Sequence, residues 1–188
     1  FMVGKSSGIT FDHGKTWHAI GIPKDVKKHD GWSWGMVDWM AEEPSTILAK
    51  EHHTSNLWLS HDLGKTWEKL DIENRDLGVA DSKTFLLGKN EDGIHRSTDG
   101  GKTWTEVYDG EVLGNTPLRY GQNLYWTGAK GILISSDGGA TWKQWGNAIE
   151  RPLYGPIFGG TESQMIVANE KGLHMTKDSG KTWQMKTQ

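Results

Sequence analysis

Short apolar runs separated by polar, glycine-bounded gaps recur along the whole chain. Thr84-Phe85-Leu86-Leu87 is followed by a polar loop at 89–93 and then by Ile94-His95-Arg96; Met165-Ile166-Val167-Ala168 is followed by 169–172 and then by Leu173-His174-Met175. Apolar runs this short, closed off by glycine, are too brief for helices and predict β-strands joined by tight loops. Further strands are expected to start at tryptophans, as in Trp17-His18-Ala19-Ile20 and Trp183-Gln184-Met185-Lys186. A last set is expected at 34–40, 76–80, 118–121 and 155–159, where small residues such as Gly35, Gly78, Gly155 and Gly159 suit a crowded setting.

The gap ahead of each tryptophan has a fixed composition. Thr10-Phe11-Asp12-His13-Gly14-Lys15-Thr16-Trp17 recurs as Ser60-His61-Asp62-Leu63-Gly64-Lys65-Thr66-Trp67 and as Ser97-Thr98-Asp99-Gly100-Gly101-Lys102-Thr103-Trp104. Two more copies are Ser135-Ser136-Asp137-Gly138-Gly139-Ala140-Thr141-Trp142 and Thr176-Lys177-Asp178-Ser179-Gly180-Lys181-Thr182-Trp183. A carboxylate can accept backbone N–H bonds as in an Asx-turn, and a glycine two positions later supplies the positive φ of a tight hairpin. The threonine leads into an extended strand and the tryptophan begins its buried face. Asp12, Asp62, Asp99, Asp137 and Asp178, with Trp17, Trp67, Trp104, Trp142 and Trp183, are therefore expected to be structural.

This pattern resembles the Asp-box, or BNR, repeat of sialidases, xyloglucan-degrading glycosidases, sortilin-type receptors and photosystem II assembly factors. The resemblance covers nearly the whole chain and implies an all-β fold: a β-propeller whose box joins the third and fourth strands of each four-stranded antiparallel blade, away from the ligand-binding face. The box aspartates at 12, 62, 99, 137 and 178 stand 50, 37, 38 and 41 residues apart, close to the repeat of about 40 residues for such a blade. A single domain over 1–188 is expected, with five Asp-box blades near 1–21, 32–71, 76–108, 116–147 and 153–187, and an inserted charged loop at 21–31. The opening Phe1-Met2-Val3-Gly4 corresponds to a second strand, so the first blade is expected to lack its innermost strand. Either a larger propeller of about six to eight blades or another chain would then complete the ring.

Composition narrows the partners. A net charge of −3, from 21 basic and 24 acidic side chains, gives no basic excess to attract nucleic acid or an anionic membrane. The absence of cysteine removes disulfides, thiolate metal sites and a cysteine nucleophile. No apolar run approaches the roughly 20 residues that span a bilayer, and no basic-then-apolar leader is present, so a chain without membrane insertion is expected. The 25 glycines and 11 tryptophans fit many tight turns and large rings wedged between sheets. The resemblance implies a secreted, periplasmic or lumenal location and a carbohydrate or extracellular protein ligand. Neither a metal nor another cofactor is called for.

Loops from strand two to three, and from strand four to the next blade, are expected to share the ligand-bearing face. The first set carries Lys5, Lys50, His52, His53, Lys89, Lys130 and Lys171; the second carries His29, Asp30, Trp32, Arg75, Asp76, Arg119, Arg151 and Tyr154. Arg75, Arg119 and Arg151 are expected at equivalent inner positions of successive blades, with Tyr120 and Tyr154 nearby. Guanidinium forks can bind a carboxylate, sulfate or phosphate bidentately, as the arginine cluster of sialidases does, although the Arg-Ile-Pro motif of that family is missing; salt bridging between blades is the competing expectation.

Trp32, Trp34, Asp38 and Trp39 form a second constellation. Indole faces can stack on sugars, and Asp38 is the candidate general acid or base. Strict alternation would put Trp32, Trp34 and Asp38 on one face and Trp39 on the other. Glycoside hydrolysis needs a second carboxylate, for which Asp30, Asp76, Asp81 and Glu150 are candidates. His52 and His53 lack a third ligand at recognisable spacing and read as surface residues. The functional expectations are a binding module for a glycan or protein, a sialidase-like or xyloglucanase-like glycoside hydrolase, or an assembly factor for a protein complex.

Overall fold

A computed structural model describes residues 8–23, 25–26, 34–39, 45–51, 54, 56–72, 76–88, 92–113 and 116–186. The first blade contributes β1 (Gly8–Ile9) and β2 (His18–Ala19), and the second β3 (Trp34–Trp39), β4 (Ile47–Glu51), β5 (Leu57–Ser60) and β6 (Glu68–Leu70). The third holds β7 (Asp76–Val79), β8 (Phe85–Gly88), β9 (Ile94–Ser97) and β10 (Thr105–Tyr108); the fourth holds β11 (Leu118–Tyr120), β12 (Asn123–Gly128), β13 (Gly131–Ser135) and β14 (Lys143–Trp145). The fifth is built from β15 (Tyr154–Phe158), β16 (Met165–Asn169), β17 (Gly172–Thr176) and β18 (Gln184–Lys186). In blades two to five the strands are antiparallel and lie side by side in chain order, so each blade is a meander. The second strand expected at the start of the first blade falls outside the described residues.

Each Asp box folds as its chemistry predicts. In all five, the first hydroxyl donates to one oxygen of the aspartate and accepts from the amide of the box glycine, while the threonine amide and hydroxyl bind the same carboxylate. In the second box, for example, Ser60 Oγ donates to Asp62 Oδ1 (2.9 Å), Gly64 N donates to Ser60 Oγ (2.7 Å) and Thr66 Oγ1 donates to Asp62 Oδ2 (2.6 Å). The chain can turn this tightly because two consecutive residues adopt positive φ, such as Leu63 at 62° and Gly64 at 76°. The Thr hydroxyl and amide hold Asp12, Asp62 and Asp178 down at about 2. Burial pushes Asp137 up, but the Thr141 hydroxyl and amide outweigh it and bring this group also to about 2.

The core is a series of layers between blades. Leu48, Leu57, Leu59 and Leu70 of the second blade meet Leu77, Val79, Phe85 and Leu87 of the third, with Trp104 packed against them. Leu86 and Ile94 meet Leu124, Trp126 and Leu133, with Trp142 alongside; Tyr125, Ile132 and Trp145 meet Met165 and Val167, with Trp183 alongside. Trp67 likewise packs on Ile9, Ile20 and Ile47. Each of these box tryptophans thus faces the blade before its own. Trp17, in the first blade, is 47% exposed. Residue 26 of the inserted loop is not solvated: Val26 is buried with Trp34, Ala49 and Trp58.

Candidate functional site

The linker between β14 and β15 is stitched to the two-to-three hairpins of both blades it joins. Ile149 N donates to Lys130 O (3.1 Å), Arg151 N to Ala129 O (2.9 Å) and Leu153 N to Ala168 O (2.9 Å), while Asn169 Nδ2 donates to Glu150 O (2.7 Å). These bonds bring the two kinds of loop onto one face. A cavity of about 220 Å3 opens there, lined by Glu150, Arg151, Leu153, Asn169, Glu170 and Lys171.

The cavity is bordered by two exposed ion pairs. Lys171 Nζ lies 2.5 Å from Glu150 Oε2, and Arg151 Nη1 lies 3.0 Å from Glu111 Oε1. The Lys171 ammonium holds the Glu150 carboxyl below its ordinary range, and Glu150 in turn raises Lys171. Solvent screens such pairs, so each stabilises the fold little and exchanges readily with an incoming charge. Arg151 adopts φ of 42°, in the left-handed region that a non-glycine residue rarely enters, because its amide and its neighbours' are pinned to both hairpins. Tyr154, the first residue of β15, is 69% exposed.

Asp38, Arg119 and Tyr120 serve the contacts between blades. Asp38 Oδ2 accepts from Val79 N (2.7 Å), and Arg119 Nη2 donates to Ala80 O (3.0 Å) and Val79 O (3.4 Å). Asp38 and Arg119 therefore brace the same end of β7 from the blades on either side. Tyr120 OH donates to Gly160 O (3.0 Å), and its ring lies 4.6 Å from that of Phe158. Asp76 is buried. Asp81 Oδ1 accepts from the amides of Lys83 (2.9 Å) and Thr84 (2.8 Å) in the turn between β7 and β8.

Three expectations change. Arg119 lies inside β11, whereas Arg151 precedes β15 by three residues; the two do not occupy equivalent positions, and each guanidinium is turned onto a different protein acceptor. Trp34 is fully buried, its ring centroid 4.7 Å from that of Trp67, so it offers no face to a ligand. A bulge between Trp34 and Met36 shifts the register on β4, pairing Trp34 with Glu51 and Asp38 with Leu48. Strict alternation fails there, and Asp38 lies on the face opposite Trp34. Trp32, His52, His53, Arg75, His29, Asp30, Lys5 and Lys89 lie outside the described residues.

Glu111 and Asn169 escaped the sequence reading as site residues. Asn169 opens a loop already noted for Lys171, whereas Glu111 has no local signal and meets Arg151 only through the fold. Away from the cavity, Glu162 of the fifth blade accepts from Tyr125 OH and from Asn123 Nδ2 (2.5 Å) of the fourth. Burial, reinforced by Glu162, raises the Tyr125 phenol above its ordinary range. Among the described residues no group of three or more His, Asp or Glu is placed to hold a metal, and no helix is long and apolar enough to cross a membrane.

The BNR/Asp-box repeat model matches residues 9–19 and 95–106. Among solved structures, an ancestral GH74 enzyme is similar over 83% of this chain and 24% of its own, at 14% identity and a TM-score of 0.60. The GH74 xyloglucanase of Xanthomonas campestris is similar over 89% of this chain and 33% of its own, at 14% identity and a TM-score of 0.60. YCF48 bound to D1 peptide is similar over 96% of this chain and 75% of its own, at 16% identity and a TM-score of 0.50. No curated protein matches the sequence. The chain carries Asp-box repeats and has the fold of an Asp-box β-propeller, and it spans about a quarter to a third of the GH74 chains and three quarters of the YCF48 chain.

Proposed function

We propose that this chain is a binding module that takes a segment of another protein on its loop-bearing face, at the cavity between the fourth and fifth blades. The observation that carries this reading is the arrangement there: a small concave site with exposed, exchangeable charges of both signs and the exposed ring of Tyr154. Such a site suits polar recognition of an extended ligand. Asp38 and Arg119, the residues that hydrolysis or substrate-carboxylate binding would need free, are committed to the edge of β7. The likeness to a peptide-bound YCF48 supports a protein ligand and a role in assembling a complex. The likeness to GH74 enzymes supports a second reading, a glycan bound at the same face with or without hydrolysis. A secreted, periplasmic or lumenal setting fits either.

The test offers the purified chain a peptide array, a glycan array and xyloglucan oligosaccharides. Peptide binding weakened at least severalfold by Lys171→Ala and Tyr154→Ala is the expected result. Turnover of an oligosaccharide that is lost in Asp38→Asn would replace the binding reading with the enzymatic one.

A further inference from the structure

The box turns do more than close hairpins: in two seams they grip one residue of the preceding blade's exit strand. Between the first and second blades, Gly21 N donates to Gly64 O (2.8 Å) while Trp67 Nε1 donates to Gly21 O (2.9 Å) and shares its proton with Gly64 O (3.1 Å). Between the fourth and fifth, Asn147 N donates to Gly180 O (2.7 Å) and Trp183 Nε1 donates to Asn147 O (3.2 Å). Both backbone groups of a single residue are thus held by the carbonyl of the box glycine and the indole of the box tryptophan. Each grip needs a glycine on the entering strand. A Cβ at Gly21 would lie 2.8 Å from Gly64 O, and one at Gly146 would lie 2.6 Å from Gly180 Cα.

The third blade's box has the same carbonyl and the same indole, and among the described residues no backbone group of the preceding blade bonds to either. Trp104 Nε1 donates back to Gly101 O (2.9 Å). The position matching Gly21 and Gly146, four residues after the box tryptophan, is Asp71, which lines a groove instead. A groove of about 1140 Å3 remains, floored by Leu59, Leu70 and Ile72 and rimmed by Lys69, Lys83 and Lys102. The comparable seam between the third and fourth blades is instead latched by Arg96 Nε, which donates to Gly138 O (3.0 Å); the residue at that place in the second blade is Leu59, which cannot donate.

We infer that the groove between the second and third blades is an acceptor site for an extended, glycine-bearing segment of a partner polypeptide. The glycine, as Gly21 in the first seam, or the residue after it, as Asn147 in the last, donates its amide to Gly101 O and accepts at its carbonyl from the Trp104 indole. The occupant is a peptide because the two filled copies of this clamp hold a peptide unit, and it carries glycine because those copies place glycine against the box. The side chain of Leu70 already fills the apolar place that Ile20 takes in the first seam, approaching Gly101 as Ile20 approaches Gly64, so the partner need supply only the backbone. This site is separate from the loop-bearing face and does not rest on the function proposed for it.

The probe is the capped hexapeptide His-Ala-Ile-Gly-Ile-Pro, which copies residues 18–23, titrated into the whole chain while the tryptophan indole resonances are followed by NMR. The Trp104 indole should shift to saturation while that of Trp142 stays. The same peptide with valine in place of glycine should bind at least about tenfold more weakly, and Trp104→Phe, which keeps the ring and removes the donor, should weaken binding about three- to tenfold. Lys171→Ala, on the loop-bearing face, should leave binding intact. A Trp104 resonance that does not move at millimolar peptide, or equal affinity for the glycine and valine peptides, overturns the proposal.

Discussion

The seam between the first and second blades and the seam between the second and third are built from copies of the same repeat, yet one is shut and the other is a groove. Gly21 lets the exit strand of the first blade come within hydrogen-bonding distance of the next box, while Asp71, at the matching place in the second blade, lines a groove. The apolar layers beneath are filled in both. Burial of large side chains therefore sets the spacing of the blades, and the residue after the fourth strand decides whether their outer edges touch. At Gly21 any side chain would obstruct the close approach, since a Cβ there would lie 2.8 Å from Gly64 O.

The largest expected way to break the comparison is Gly146→Val. It places a branched side chain against the Gly180 backbone at a φ of 68° and should cost about 2–4 kcal/mol, read as a fall in the urea midpoint. A loss under about 0.5 kcal/mol would show that the closed seam contributes little. Acid should act on closed and open seams alike, because the box carboxylates are lowered in both. Their folded form favours the deprotonated state, so the stability they supply is complete above the ordinary carboxylate value of 3.8 and is lost as pH falls towards about 2. A thermal midpoint that stays flat between pH 4 and pH 2 would contradict this role. The smallest effect sharpens the contrast: Asp71→Gly, which gives the open seam the glycine found at the matching place in the closed ones, should change stability by about 0.5 kcal/mol or less while slowing amide exchange at residue 71; unchanged exchange there would show that this position does not set the seam.

The box turns and the strands that flank them were legible because each depends on residues within eight positions of one another. Asp62, its threonine and its glycine meet through local backbone geometry that the motif specifies completely. The candidate site was legible only in part. Loop residues such as Lys171 and Tyr154 were expected to share a face, since the strand order dictates it, and hydrogen bonds do join their loops, but the partners of Arg119 and Arg151 come from segments some 40 residues away. The bulge in β3 likewise left no mark in the alternation of residues, yet it turned Asp38 away from Trp34 and onto β7.

By itself the sequence determined the repeated unit: the hairpin chemistry, the short strands and the tryptophan that begins each buried face. These are short-range consequences of hydrogen bonding, positive φ and apolar periodicity. Only the tertiary structure decided which polar side chains are consumed between blades, where two loops enclose a cavity and which seam stays open. Those outcomes depend on distances between segments far apart in the chain, and such distances are set by how whole sheets pack.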